Sequence, residues 1–132
     1  MATRRGFIGC LICATSGLVA TAVGAPAQAQ GIERKTLSTI DYPGDGKVSI
    51  LQTLLAPAGT VIAKHTHPGI ESSVLTEGEL ELDVVGVGTK VYVAGEGFQV
   101  PAGVVHGGKV LKTARLAITY VVEKDKPLAT PA

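Results

Sequence analysis

Glycine and proline punctuate this chain every ten residues or so, and the segments between them are short and apolar. From Val48 onward the runs are Val48–Leu55, Thr60–His65, Ile70–Leu75, Leu80–Val85, Thr89–Ala94, Phe98–Val100, Val104–His106 with Lys109–Leu111, and Ala114–Val122. The breaks between them include Pro57-Ala58-Gly59, Pro68-Gly69, Glu77-Gly78, Gly86-Val87-Gly88, Gly95-Glu96-Gly97 and Pro101-Ala102-Gly103. No stretch of eleven residues carries apolar side chains at a helical period. Evenly spaced short strands without helices predict an all-β sandwich or barrel. At this length the natural form is one small jelly-roll barrel, whose closure would remove exposed strand edges.

The chain has 132 residues, enough for one domain, and 45% of them are hydrophobic, enough to build a core. Twelve basic residues face eleven acidic ones. That balance excludes a phosphate-backbone binder, which needs a basic surplus on one face. Tryptophan is absent and aromatics make up 4%, so base-stacking platforms are excluded too, and no nucleic-acid partner is expected.

Residues 1–29 read as a signal peptide rather than as part of the fold. Arg4 and Arg5 are the only charges, an uncharged stretch runs from Gly6 to Ala25, and Ala27-Gln28-Ala29 offers a small-x-small cleavage site. An uncharged stretch of this length can also span a membrane, although Gly9, Thr15, Ser16, Gly17, Thr21 and Gly24 dilute it. Thr3-Arg4-Arg5-Gly6-Phe7-Ile8 resembles a twin-arginine export signal, and an ordinary secretory signal with two arginines is the alternative. The expected product starts at Gln30, is periplasmic or secreted in a bacterium, and is not membrane-bound after cleavage. Cys10 and Cys13 leave with the signal, so no disulfide is expected. Residues 30–46 then form an N-terminal arm ending in the turn cluster Tyr42-Pro43-Gly44-Asp45-Gly46, residues 47–122 the barrel, and residues 123–132 a loose C-terminal tail.

The three histidines decide the chemistry. His65 and His67 are two apart, so on a strand they face the same way. Glu71 follows across Pro68-Gly69, where a turn can return its carboxylate to the same point, and His106 follows Pro101-Ala102-Gly103. Three imidazoles and a carboxylate make a four-ligand set for one divalent metal ion, with solvent completing the shell. No other histidine exists in the chain.

The spacing is more specific than the ligand set. Gly59, His65, His67, Glu71 and Gly78 stand at the intervals of the first cupin motif, and Gly95, Pro101, Gly103 and His106 at those of the second. Over residues 47–122 the chain resembles the cupin superfamily, in particular its small single-domain members. The second motif often has Asn four positions after its histidine, where this chain has Val110. The resemblance implies a single cupin jelly-roll β-barrel, His65, His67, Glu71 and His106 as metal ligands, and a homodimer. It leaves the metal open among Mn, Fe, Ni, Zn and Cu, and it leaves the reaction open, because similar small cupins include dioxygenases, isomerases, lyases and proteins that bind small molecules without turnover.

Parity then sorts the lining. Ser73 and Leu75 share the parity of Glu71, and Val61 and Ala63 that of His65, so all four should face inward, while Lys64 and Thr66 should face away. Ser73, Gln99 and Tyr120 are the polar pocket candidates, with Tyr92 behind them. Glu77, Glu79, Glu81 and Asp83 read as a solvated strand face. Some cupin lyases acting on sulfonium substrates carry a tyrosine two positions after the glutamate; Ser73 stands there in this chain. The expectation is a small, mostly apolar pocket whose metal binds a small organic substrate, with a dioxygenase the first reading. A non-catalytic binding module, or an isomerase or lyase using the metal as a Lewis acid, is the alternative.

Overall fold

The computed structural model describes residues 31–44 and 46–132. The expected signal peptide therefore lies outside the described residues. Eight strands follow in order: β1 (Glu33–Asp41), β2 (Lys47–Ala56), β3 (Val61–Thr66), β4 (Gly69–Val84), β5 (Gly88–Val93), β6 (Gly97–Val100), β7 (His106–Glu123) and β8 (Thr130–Pro131). All pairings are antiparallel. Among the described residues no helix is long and apolar enough to cross a membrane.

β4 and β7 are the spine. The later half of β7 lies between β2 and the early half of β4, with Gln52 opposite Ile118 and Ser73 opposite the same Ile118. The early half of β7 lies between β3 and the later half of β4, with Ile62 and Leu82 both opposite Gly108. Each long strand thus belongs to two groups of strands, β1-β2-β7-β4-β6 and β8-β3-β7-β4-β5. The inward side chains of both groups make the core, in which Leu75, Leu80, Val100 and Val110 are fully buried. The ladders do not close: β1 pairs only with β2, and β5 and β6 only with β4.

The sequence breaks at Glu77-Gly78 and at Gly107-Gly108 are not turns. Both fall inside continuous strands. On β4 the buried positions shift from Glu71, Ser73 and Leu75 to Leu80, Leu82 and Val84, so parity changes across an irregular pairing at Glu77–Glu79. Extra residues there bend the strand and re-aim its side chains. Gly78 makes this possible: its φ is +86°, and a Cβ would collide with the backbone carbonyl of Thr113. Gly108 serves a different need, because a Cβ there would strike the Glu81 carbonyl on the neighbouring strand.

Two other segments differ from expectation. The N-terminal arm contains a full strand, β1, every residue of which is exposed. Its edge position removes the burial alternation that would have marked it as a strand. The C-terminal tail is not loose: Thr130 and Pro131 pair with Thr66 and His65, and the Ala132 amide donates to the Lys64 carbonyl at 3.0 Å.

Candidate metal centre

The β3 backbone delivers the first two histidines through an irregularity. Ile62 lies opposite Gly108 and His65 opposite His106, so β3 advances three residues while β7 advances two. The extra residue flips parity. Ile62 packs against the core, while Val61 and Ala63 are exposed. This corrects the expectation that Val61 and Ala63 share the inward face of His65. Lys64 faces out as expected and pairs with Asp83 at 3.3 Å. His67 sits just past the strand end, and Glu71 returns on β4. His106 opens β7 opposite both His65 and Val84.

One ligand atom from each of His65, His67, Glu71 and His106 lies within 4.8 Å of the others. His65 Nε2 is 3.2 Å from His67 Nε2. Glu71 Oε2 is 3.0 Å from His67 Nε2 and 3.2 Å from His106 Nε2. The orientation of every ring is fixed from behind. His65 Nδ1 donates to the Ala63 carbonyl at 2.8 Å, and His106 Nδ1 to the Val104 carbonyl at 2.9 Å. His67 Nδ1 donates to the Leu128 carbonyl at 2.6 Å. A carbonyl only accepts, so each Nδ1 carries a proton, and in the neutral ring each Nε2 then presents a lone pair to the centre. Three lone pairs and a carboxylate oxygen meeting at one point need a positive charge between them, either protons or a metal ion. The donor set suits a divalent transition metal.

Charge and burial follow the same geometry. Burial alone would raise the Glu71 pKa, but hydrogen bonds to His106, His67 and Ser73 hold its carboxyl well below the usual range. For His106, burial acts downward and is outweighed by the Glu71 carboxylate and the Val104 carbonyl, so its pKa is raised. Burial lowers the pKa of His65. Burial and the Glu71 charge raise that of Tyr120, which keeps its hydroxyl protonated.

Ser73 joins this site. It is 3% exposed and donates to Glu71 Oε1 at 2.6 Å. Tyr120 lies opposite Glu71 and packs its ring 4.9 Å from that of His67. Gln99 does not join it. It pairs with Ser72, whose parity is outward, and donates to the Ser72 hydroxyl at 2.9 Å on the outer face. Tyr92 is half-buried against Phe98 with Lys90 over its ring, away from the four ligands. The acidic residues stay on the outer face as read, and the structure adds ion pairs there: Glu77 with Arg115 at 3.1 Å, Glu79 with Lys112.

Val110, where the second motif often has Asn, is fully buried. Its backbone makes the turn contacts instead, accepting from the Gly59 amide at 2.7 Å and donating to the Thr60 carbonyl at 2.9 Å.

The model of the cupin domain family matches residues 52–122, more than half of the chain. The chain belongs to the cupin family. Among solved structures it is similar to an RmlC-like cupin from Shewanella frigidimarina, at 25% identity and TM-score 0.61, over 76% of this chain and 83% of that one. It is similar in fold to the DMSP lyase DddQ from Ruegeria pomeroyi, at 18% identity and TM-score 0.62, over 76% of this chain and 51% of that one. A third is salicylate 1,2-dioxygenase from Pseudaminobacter salicylatoxidans, at 21% identity and TM-score 0.52, over 55% of this chain and 20% of that one. No curated protein sequence matches the chain.

Two participants in this cupin site carry no motif signal. Leu128 contributes only a backbone carbonyl. Arg34 lines the cavity of about 40 Å³ that also meets His65, Glu71 and His106.

Proposed function

We propose that His65, His67, Glu71 and His106 hold one divalent metal ion, and that the protein is a dioxygenase acting on a small organic substrate that chelates this ion. The observation that carries the metal is the tying of all three Nδ1 protons to backbone carbonyls, which leaves four acceptor atoms converging. When bound, a redox-active metal supplies an open position for substrate and dioxygen.

The protein's own contributions are few. Ser73 orients the Glu71 carboxylate, the three carbonyls orient the imidazoles, and Leu54, Ile62, Leu80 and Phe98 make the rest of the cavity apolar and exclude water. Among the described residues, no carboxylate or imidazole outside the proposed ligand set lines the cavity. A dioxygenase, which incorporates both oxygen atoms into substrate, fits a centre with no separate side-chain base.

The second reading, a binding module without turnover, rests on the small size of the cavity. Metal content of the purified protein and of His106→Ala tests the centre: stoichiometric metal in the first and little in the second is expected. Oxygen consumption by the iron-loaded protein across phenols, diketones and thiols tests the reaction. Silence across the panel with metal bound moves the assignment to the binding module.

We also propose that the protein is exported and forms a homodimer. The centre of the outer face of β1, β2, β7 and β4 carries the uncharged side chains Ile40, Leu51, Thr119, Ser72 and Val74, three of them exposed large aliphatics. Exposed apolar area of this kind is the usual mark of an association surface. Sedimentation of the wild type against Leu51→Glu tests the pairing, and N-terminal sequencing of exported protein, expected to begin at Gln30, tests the export.

A further inference from the structure

The described residues include two arginines, and they differ in one respect. Arg115 has a carboxylate partner, Glu77, at 3.1 Å. Arg34 has none among the described residues. It lies on β1 opposite Leu54, whose side chain is in the core, and two residues from Thr36, whose hydroxyl meets the buried Gln52. That parity turns Arg34 toward the interior, and it lines the same cavity as His65, Glu71 and His106. Being itself exposed, it marks the solvent end of that cavity. The Arg34 charge also reaches Tyr120, where it acts against the upward push of burial and of Glu71.

From this placement we infer that Arg34 anchors the carboxylate of a small monocarboxylic substrate whose other end faces the His65-His67-Glu71-His106 centre. This rests on the metal-centre reading above and narrows the class of molecule it receives. A guanidinium presents a planar fork of donors that matches a carboxylate bidentately. The remaining walls are aliphatic or aromatic: Leu54, Ile62, Leu80, Leu82, Phe98 and Leu116. They offer no second cation. At that end of the cavity the single guanidinium balances the charge of one carboxylate, whereas a phosphate dianion would need further donors there. The apolar walls ask for a short hydrocarbon body beside the charged group.

The test uses propionate and its neutral isostere propionamide, titrated into the cobalt(II)-loaded protein and read by calorimetry and by the cobalt visible bands. Arg34→Gln is expected to retain stoichiometric cobalt, to lose at least about tenfold in propionate affinity, and to leave propionamide unchanged, with Arg34→Lys between. Unchanged propionate affinity in a cobalt-loaded Arg34→Gln protein overturns the inference. A second readout does not need the metal. Propionate, and not propionamide, should protect Arg34 from phenylglyoxal modification followed by mass spectrometry. A protein that takes up no cobalt yet shows this protection refutes the metal reading and keeps the anchor; absence of protection in either form of the protein refutes the anchor.

Discussion

Ser73 donates its hydroxyl proton to Oε1 of Glu71 at 2.6 Å, and so leaves Oε2 alone to face His67 and His106. The two residues stand on the same inward face of β4, so the strand itself sets this contact. Replacing the hydroxyl by hydrogen frees the carboxylate to rotate and removes one of the hydrogen bonds that hold its pKa down. Ser73→Ala is expected to lower metal affinity about tenfold or more, the usual effect of losing a group that orients a ligand, and to cost about 1–2 kcal/mol of stability in the metal-free protein. Competition against a chromophoric chelator and urea unfolding measure the two. Unchanged affinity would show that Glu71 needs no orienting partner.

The Leu128 carbonyl holds His67 from the far end of the chain. Deleting residues 128–132 is expected to reduce metal affinity about 10- to 100-fold, because His67 is then free to change tautomer and rotate. Leu128→Ala keeps the carbonyl and trims only a half-buried side chain packed on the core, so it should lower stability by about 1 kcal/mol and leave the metal in place. Equal metal loss in both variants would assign the effect to packing.

The pH dependence has a definite sign. His65 has a lowered pKa, so its contribution is present above its ordinary value of 6.5 and lost as pH falls through the folded-state value. His106 has a raised pKa, so its contribution is present below 6.5 and lost as pH rises through the folded-state value. Glu71, held low, adds a further loss only in strong acid. The metal-free protein should therefore be most stable near pH 6.5. Metal binding keeps all three imidazoles unprotonated in the folded state, so the loaded protein should go on gaining stability above that pH. Melting temperatures from pH 5 to 9, with and without chelator, measure both curves; a parallel pair would place the metal elsewhere.

Gly78 tests the corner of β4. Gly78→Ala combines a positive φ with a collision at the Thr113 carbonyl and should cost about 3 kcal/mol or more. Gly86→Ala has the same φ with open space around it, and should cost about 1–2 kcal/mol. Equal losses would mean that the corner relaxes.

The convergence of His65, His67, Glu71 and His106 was legible from motif spacing, and the inward faces of Ser73 and Tyr120 from parity along β4 and β7. The strand breaks were only half legible: a glycine at positive φ reads the same in a turn and in a bulge, and the pairing of Glu77–Glu79 with β7 decides which it is. The inward face of Ile62 was hidden because the extra residue between it and His65 carries no glycine to announce it. Gln99 was misplaced for want of its partner, since parity on a four-residue strand can be assigned only once Ser72 lies opposite. Arg34 and the Leu128 carbonyl act through long-range pairings of polar, exposed segments, which leave no hydrophobic pattern in the chain.

The strap formed by residues 128–132 also imposes an order on synthesis. A ribosome delivers His65, His67, Glu71 and His106 well before Leu128, and chains generally begin to fold from the end made first. The centre can thus gather its four side chains early, yet His67 acquires its fixed proton only when Thr130 and Pro131 dock beside β3. The orientation of His67 therefore waits on a segment made some sixty residues after it, and a stop ahead of Leu128 would give a folded barrel whose His67 has lost the acceptor that fixes its ring.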